Sequence, residues 1–292
     1  MPKTKSDINS IAIAVHPKND QAYDQAIKIS EFLKAQDKEV LLGRMDETTL
    51  REGLLTGSQD LLIALGGDGT MLRAGHIGAD SQVPILGINM GRYGFLTGVQ
   101  RGEWQNALQR VLAGDYWLEE RMMLKSTLIR EDRELGSWNA LNDVVISRGE
   151  EIRPVQLKIH INQRHLSTIV ADAIIASTAT GSTAYAMAAG GPILSPELRN
   201  IILVPVAPHL SIEQTLVLAE SVLVTVEVFT SHQAVICVDG QPPIALQTED
   251  RVEIRASEDV VEFIRFEDPG YFYRNLIPYM DQNPSIKKKT DV

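Results

Sequence analysis

The chain has 292 residues, of which 44% are hydrophobic and 23% are charged, and its mean hydropathy is −0.07. These values are typical of a globular protein and exclude the fibrous, mini-protein and largely disordered classes. The 28 Lys and Arg residues against 38 Asp and Glu residues leave a net charge of −10 at pH 7. This balance disfavours nucleic acid and anionic membranes as partners.

The first apolar run, Ile11–Val15, is too short for a secretory signal or a membrane span, and polar residues and a proline follow it at once. We therefore expect a cytoplasmic location. The single cysteine, Cys237, lies in an apolar run, which fits a buried strand position better than a catalytic thiol.

Four short apolar runs in the first half predict strands, and the segments between them have helical spacing. The predicted strands are Ile11–Val15, Glu39–Leu42, Leu61–Leu65 and Pro84–Ile88, and the predicted helices are Ala22–Leu33 and Glu103–Leu112. Strands that alternate with helices build parallel β-α-β units. We therefore predict a doubly wound, Rossmann-like α/β domain over residues 1–118.

After about Tyr116 the pattern changes to strands with few helices between them. Runs rich in β-branched residues predict strands at 124–129, 140–147, 155–161, 168–171, 173–177, 201–206, 221–229, 234–238 and 250–254. One helical turn is expected at Ser182–Ala189, entered from Gly181. We predict a mainly β domain over residues 119–262 and a C-terminal tail, 263–292, that packs back on the first domain.

The sharpest feature of the first half is a buried strand that runs into a glycine-rich turn, Leu-Gly-Gly-Asp-Gly-Thr at 65–70. In an open α/β sheet such a turn lies in the ligand-binding crevice. Its glycines, Gly66, Gly67 and Gly69, let backbone N–H groups approach phosphate oxygens, and Thr70 is expected at the start of a helix. Asp68 would repel a phosphate unless it bound Mg²⁺ or took a proton from an attacking hydroxyl.

The alternative for this segment is a tight turn in which the Asp68 side chain only forms a hydrogen bond with the backbone of the turn itself. A Walker loop does not fit the turn, because Gly-Lys-Ser/Thr does not follow, and the Gly-x-Gly-x-x-Gly spacing of the dinucleotide fingerprint is also missing. Arg73 could reach a phosphate or lie on a solvated helix face. A second glycine cluster, 87–96, should lie beside the first as a turn anchored by Phe95 and Leu96.

In the β-rich half, six hydroxyl-bearing residues surround Gly181 in a segment otherwise rich in Ala and Ile. Neutral donors and acceptors of this kind suit the ribose and amide groups of a nucleotide. Asp172 could accept both hydrogen bonds of a vicinal diol, and Asn142-Asp143 could meet an adenine edge. For each of these segments the alternative is an ordinary turn.

The histidines are scattered without metal-ligand spacing, and no Gly-x-Ser-x-Gly hydrolase motif occurs.

Taken together, these segments resemble the NAD kinase family. The 65–70 loop is similar to that family's phosphate loop, which diacylglycerol-type lipid kinases and phosphofructokinases share more loosely, whereas 178–194 resembles a segment more particular to NAD kinases. Five further segments fall in the family's order: the second glycine cluster at 87–96, Glu120-Arg121, Asn142-Asp143-Val-Val, Pro208-His209 and Val238-Asp-Gly-Gln241. The resemblance covers residues 11 to about 272 and implies an α+β two-domain kinase of the NAD kinase/diacylglycerol kinase type.

The resemblance implies transfer of the γ-phosphoryl group of ATP to the 2′-hydroxyl of the adenosine ribose of NAD, with Asp68 as general base. It also implies Mg²⁺ with ATP, and a homodimer or homotetramer; no metal site made by protein ligands is predicted. Asn142 and Asp143 would meet adenine, and Asp172 a ribose or the nicotinamide side. The full set of predicted nucleotide-binding residues is Gly66, Gly67, Gly69, Thr70, Arg73, Asn142, Asp143, Asp172, Thr180, Gly181, Ser182, Thr183, Ala184, Tyr185, Ala186, Met187, Ala188 and Gln241.

Several positions depart from the family's pattern. Val170 stands where the family commonly has Arg, and Gln214-Thr215 stands where Arg-Pro is expected after Pro208-His209. These departures motivate one alternative, a non-catalytic NAD(H)-binding regulator. The other alternative is a lipid kinase with the same glycine loop, which the net charge and the Ser/Thr-rich strand disfavour.

Overall fold

A computed structural model of the chain describes residues 8–91, 94–209 and 214–281. Its strands are β1 Ser10–Val15, β2 Glu39–Arg44, β3 Leu61–Gly66, β4 Ile85–Asn89, β5 Val99–Gln100, β6 Trp117–Arg130, β7 Arg133–Ala140, β8 Asp143–Arg148, β9 Val155–Ile161, β10 Arg164–Ala171, β11 Ala173–Ser177, β12 Asn200–Val206, β13 Leu216–Ala219, β14 Val224–Phe229, β15 Ala234–Val238, β16 Ile244–Leu246 and β17 Arg251–Arg265. Its α-helices are α1 Asp20–Lys34, α2 Thr48–Leu55, α3 Asp68–Ser81, α4 Trp104–Leu112, α5 Tyr185–Ala188 and α6 Tyr271–Asp281, and a 3₁₀ turn covers Thr180–Thr183.

The chain divides into two compact units. The first unit contains Met1–Glu120 and Val261–Val292, and the second contains Arg121–Val260. The chain passes from one unit to the other within β6 and again within β17. Among the residues that the structure describes, no helix is both long and apolar enough to cross a lipid bilayer.

The first unit is built on a parallel sheet in the order β2-β1-β3-β4, with β5 also parallel to β4. The predicted doubly wound α/β architecture is therefore confirmed. The strand order reverses at β1 and β3, and open α/β sheets bind ligands in the crevice at that switch point. The glycine-rich turn follows β3, so the topology places it at this crevice.

Helix α1 covers the first unit's sheet with a buried apolar face. The face includes Ala22, Ala26, Ile29 and Leu33, which pack in one cluster with the buried side chains of β1 and β3. The helix begins where the Asn19 side chain accepts the N–H of Ala22 at 3.0 Å, which satisfies one of the unpaired N–H groups of the first turn.

The described part of the tail belongs to the first unit. The Tyr271 hydroxyl at the start of α6 donates to the Glu119 carboxylate at 2.8 Å, and Arg265 pairs with the same carboxylate at 2.8 Å. No helix was predicted in the tail. Contact with the rest of the unit stabilises it.

The second unit is mainly β, as predicted, and contains two antiparallel arrangements. One sheet has the order β13-β12-β11-β8-β15-β16, and the other joins β10, β9, β14 and β17. Buried side chains of both arrangements form a single apolar cluster, with Leu157 and Val226 from one and Ile146, Ile174 and Leu203 from the other. A core therefore lies between the two arrangements. A second, smaller apolar cluster joins Ala186 of α5 to the alternate side chains of β8, β11 and β12, which are Val145, Ala173, Ile175, Ile202 and Val204.

Several predicted boundaries were wrong. Strand β17 runs to Arg265 instead of ending at Ile254, because its second half carries charged residues that hide the alternation. The expected strand 140–147 is divided, since β7 ends at Ala140 and β8 starts at Asp143. The expected helical turn near Ser182–Ala189 forms as the 3₁₀ turn Thr180–Thr183 followed by the short helix α5.

Candidate active site

The glycine-rich turn joins β3 directly to α3. Helix α3 begins at Asp68, two residues earlier than expected. Its N-cap residue, Gly67, provides no side-chain hydrogen bond to the N–H groups of the first turn. Thr70 is therefore not at the helix start; its side chain is 6% exposed and lies against Gly66, where a Cβ would be 2.2 Å from the Thr70 hydroxyl. Glycine at 66 is required by this close approach.

The other two glycines of the turn lie at an open surface. A Cβ built on Gly67 or on Gly69 would meet nothing within 4 Å, and both residues are exposed. Because α3 begins here without a side-chain cap, its first N–H groups and the positive end of its dipole face this surface. Such a helix N-terminus is suited to binding a phosphate. Arg73 is exposed on α3, one turn further along.

The carboxylate of Asp68 is fixed by the second glycine cluster. It accepts the backbone N–H of Phe95 at 2.9 Å and that of Leu96 at 3.1 Å. At Gly94 a Cβ would lie 2.0 Å from a carboxylate oxygen, so a larger residue there would displace Asp68. The second cluster does lie beside the first, and it orients the acid in addition to forming the anchored turn that the sequence predicts.

Another carboxylate, Asp239, holds the Asn142-Asp143 segment of the second unit. It accepts three backbone N–H groups, from Leu141 at 2.7 Å, from Asn142 at 2.8 Å and from Asp143 at 3.0 Å. Asp239 has φ 48°, which aspartate tolerates better than most residues. Asp239 had no predicted role, although it lies in the Val238-Asp-Gly-Gln241 segment; an Asp-Gly pair directly after a strand was the available signal.

Asp143 is a buried acid next to that carboxylate. Its side chain is 7% exposed, and burial, with the charge of Asp239, raises the pKa of Asp143 to about 7. At neutral pH a substantial fraction of Asp143 is therefore protonated, and a protonated carboxyl both donates and accepts a hydrogen bond. An adenine edge offers one donor and one acceptor to such a group.

The hydroxyls around Gly181 mostly hold the protein together. Thr178 donates to the Leu141 carbonyl at 2.6 Å, and Ser177 donates to the Asn142 carbonyl at 3.0 Å. Gly181 packs against the same carbonyl, where a Cβ would be 2.2 Å from the Asn142 oxygen. The hydroxyl-rich segment thus shapes the Asn142 turn, a role that the sequence analysis had not assigned to it.

The remaining predicted residues lie in the 3₁₀ turn and α5, and they fall into a buried group and an accessible group. Thr180, Gly181, Ser182 and Ala186 are buried, and Arg121 donates to the Thr180 hydroxyl at 3.1 Å. The residues with accessible surface are Thr183, Ala184, Tyr185, Met187 and Ala188. Only this second group is placed to touch a ligand directly in the described conformation, and the first group supports it.

Asp172 lies apart from this cluster. Ser177 pairs with Asp143 and Ala173 with Ser147, so Asp172 is at the opposite end of β11, about 16 Å away at about 3.3 Å per residue. Its carboxylate forms an ion pair with Arg148 at 3.3 Å. Gln241, exposed and two residues after Asp239, is on the Asn142 side.

Cys237 lies on β15 and is half-buried rather than fully buried. Its thiol donates to the Gln241 carbonyl at 3.1 Å, and burial raises the pKa of the thiol. A raised pKa keeps the thiol protonated and poorly nucleophilic. Throughout the part of the chain that the structure describes, no group of three or more His, Cys, Asp or Glu side chains is placed to hold a metal ion.

A parallel α/β unit with an acidic glycine loop at its ligand-binding crevice, followed by an antiparallel β unit, fits a two-domain nucleotide phosphotransferase. Family models described as the ATP-NAD kinase N-terminal domain and C-terminal domain match residues 11–116 and 141–266. The chain belongs to the NAD kinase family. The lipid-kinase alternative is therefore not favoured.

Relatives and solved structures agree with this assignment. An NAD kinase of Dehalococcoides mccartyi is 36% identical over 269 residues, 91% of this chain and 94% of that protein. An NAD kinase of Heliobacterium modesticaldum is 42% identical over 73% of this chain and 76% of its own length. Yeast NADH kinase complexed with NADH has the same fold, with a TM-score of 0.83 at 23% identity, covering 96% of this chain and 90% of that chain. The Archaeoglobus fulgidus NAD kinase in complex with ATP gives a TM-score of 0.74 at 25% identity, covering 95% of this chain and 100% of that chain.

Proposed function

We propose that the chain transfers the γ-phosphoryl group of ATP to the 2′-hydroxyl of the adenosine ribose of NAD, which yields NADP and ADP. Membership of the NAD kinase family supports this reaction. The observation that carries it is the position of Asp68, a fixed carboxylate at the uncapped N-terminus of α3.

Asp68 acts as the general base in this proposal. Two of its lone pairs accept the N–H groups of Phe95 and Leu96, and a carboxylate has about four such positions, so it can still accept the proton of a ribose hydroxyl. As that proton moves to Asp68, the ribose oxygen bonds to the γ-phosphorus. The bond from this phosphorus to the β–γ bridging oxygen then breaks, and ADP leaves.

The open surface at Gly67 and Gly69 receives the phosphates. Phosphoryl transfer relies mainly on positioning and on stabilising negative charge, and the N-terminus of α3 supplies N–H groups and a positive dipole end for both purposes. Gly66 and Thr70 set the geometry of the turn, and Arg73 is near enough along α3 to contact a phosphate.

The second unit holds the dinucleotide. Asn142 and Asp143, fixed by Asp239, meet the adenine. The accessible residues of the 3₁₀ turn and α5 line the site together with Gln241; they are Thr183, Ala184, Tyr185, Met187 and Ala188. Asp172 at the far end of β11 meets a ribose or the nicotinamide side, because an extended dinucleotide can reach groups that lie on both ends of one strand. The protonated fraction of Asp143 offers adenine a donor beside an acceptor.

Mg²⁺ accompanies ATP in the same proposal. Mg²⁺ keeps several waters and binds mainly through substrate phosphates in nucleotide sites, so the ion would enter with ATP and leave the Asp68 carboxylate available to accept the proton. When bound, the ion would neutralise charge on the phosphates. We also propose a cytoplasmic location. We further propose that the chain forms a homodimer or homotetramer, and light scattering of the purified protein measures the molar mass that tests this.

The deciding experiment is the formation of NADP by the purified chain from NAD, ATP and Mg²⁺. NADH and a diacylglycerol serve as parallel acceptors, and polyphosphate serves as a parallel donor. We expect product from NAD or NADH and none from the lipid. Binding of NAD without any NADP would refute the kinase proposal and leave the regulator, which the departures at Val170 and Gln214 motivate.

A further inference from the structure

A polar cavity of about 590 Å³ lies in the first unit, and no residue of the glycine loop lines it. Its wall is formed by the segment 97–103, the start of α4, residues 265–267 and the start of α6. None of the residues predicted to bind NAD or ATP lines it. Cavities of this size are typical of sites that bind small molecules.

Two buried polar atoms belong to the wall of this cavity and lack a hydrogen-bond partner within the part of the chain that the structure describes. They are the hydroxyl oxygen Oγ1 of Thr97 and the guanidinium nitrogen Nη2 of Arg265. The two residues are only 6% and 3% exposed. Buried side-chain donors in native proteins nearly always have a partner, so two such atoms on one wall point to a ligand that accepts from them.

The guanidinium of Arg265 is charged and held in a fixed orientation. Its Nε donates to Glu119 at 2.8 Å, and its Nη1 donates to the Leu96 carbonyl at 3.2 Å. Burial alone would lower the pKa of Arg265, but the charges and hydrogen bonds of Tyr271 and Glu119 raise it above its ordinary value. A rigid guanidinium with one uncommitted nitrogen is suited to carboxylate or phosphate oxygens.

Helix α4 adds a positive dipole end to the same cavity. Its N-cap residue, Glu103, provides no side-chain hydrogen bond to the N–H groups of the first turn. Gly102 and Glu103 both line the cavity. The lining also contains carboxylates: Glu103 accepts the N–H of Gln100 at 3.3 Å, and Glu267 pairs with Arg274 at 3.3 Å. Arg110, also in the lining, is paired with Asp115 at 2.6 Å. The two acids therefore disfavour a polyanion such as a triphosphate, and the lining fits a ligand with a single oxyanion group.

We propose that this cavity binds a small metabolite through one carboxylate or phosphate group, which accepts from Arg265 Nη2, from the Thr97 hydroxyl and from the N-terminus of α4. The proposal goes beyond the NAD kinase reaction and does not depend on it. The site also adjoins the catalytic loop, because Leu96 accepts from Arg265 and donates to Asp68.

The test is titration of the full chain by calorimetry at constant ionic strength, with NAD and ATP present at saturation and Mg²⁺ removed by a chelator, so that the nucleotide site is occupied and no phosphoryl transfer occurs. Inorganic phosphate is the probe in one arm and malonate in the other. We expect saturable binding of one or both probes, which also identifies the oxyanion. The Thr97→Val variant should raise Kd about tenfold or more, as expected for a lost hydrogen bond to a charged group. Thr97→Ser, which keeps the hydroxyl, should bind as the wild type does.

Thermal unfolding of each variant establishes that it is folded, and Asn275→Phe provides a second variant that places a ring in the cavity from the α6 side. This substitution should abolish binding of either probe. Equal Kd values for Thr97→Val and the wild type would overturn the proposal. So would the lack of saturable binding of both probes to the wild type.

Discussion

Replacing Asp68 with asparagine removes the proposed proton acceptor while nearly keeping the shape of the side chain. The carboxylate accepts two backbone N–H groups, from Phe95 at 2.9 Å and from Leu96 at 3.1 Å. Asparagine has one acceptor oxygen, so its amide nitrogen must face one of these N–H groups. We expect the free energy of unfolding to fall by about 1 kcal/mol, the lower end of the range for an unsatisfied donor, because Asp68 is only half-buried.

The kinetic effect should be larger than the effect on stability. Loss of a general base lowers kcat by about 10²–10⁴-fold, whereas KM for NAD should change only a few-fold, because the predicted dinucleotide contacts are in the second unit. Initial rates of NADP formation and urea denaturation measure the two effects separately. Asp80→Asn is the matched control, since it makes the same chemical change at an exposed position of α3. If the two variants had equal kcat, the role of Asp68 would be refuted.

Four further substitutions test the second unit. Asp239→Asn should lower the free energy of unfolding by about 1–3 kcal/mol, the range for an unsatisfied buried N–H, and raise KM for NAD; urea denaturation and kinetics check this, and unchanged stability would contradict it. Burial and the charge of Asp239 raise the pKa of Asp143 to about 7, whereas an aspartate in an unfolded chain has a pKa of about 3.9. Between these two pH values the folded state binds more protons than the unfolded state. The free energy of unfolding therefore falls as the pH rises through that window. Asp143→Asn removes this loss, and its urea midpoint should change less between about pH 5 and pH 8 than that of the wild type; an equal change would refute the assignment. Gly181→Ala places a Cβ 2.2 Å from a backbone oxygen and should lower the free energy of unfolding by about 1–3 kcal/mol. In the control Gly102→Ala the added Cβ meets nothing within 4 Å, and the free energy of unfolding should not change. Thermal unfolding of both variants measures the difference. Asp172→Ala should raise KM for NAD with kcat nearly unchanged, and an unchanged KM would remove Asp172 from the site.

The strands that the sequence located best are those whose side chains are apolar at nearly every position or alternate strictly. Val155–Ile161, Ala173–Ser177 and Ala234–Val238 have the bounds that were predicted. A strand that lies in a core must supply apolar side chains at intervals of one or two residues, and this requirement is visible in the sequence. The α/β character of the first half and the β character of the second follow from the same pattern.

Elements that depend on distant partners were not predictable in this way. No helix was predicted over Tyr271–Asp281, and its first residue is fixed by Glu119, 152 positions away. The second half of β17 is charged, so its pairing through Phe263 with Ile85 of β4 could not be expected from alternation. In both cases the stabilising contact comes from a part of the chain that local pattern does not include.

The sequence by itself determined the fold class and the glycine loop with Asp68, because strands and phosphate turns require particular residues at particular spacings. Only the tertiary structure decided how those residues are oriented. Amides of a second loop fix Asp68, and the Asp239 carboxylate fixes the Asn142 turn. Two of the hydroxyls near Gly181, those of Ser177 and Thr178, donate to backbone carbonyls. A polar side chain can bond to any suitable partner that the fold brings near, and its sequence neighbours do not specify which one that is.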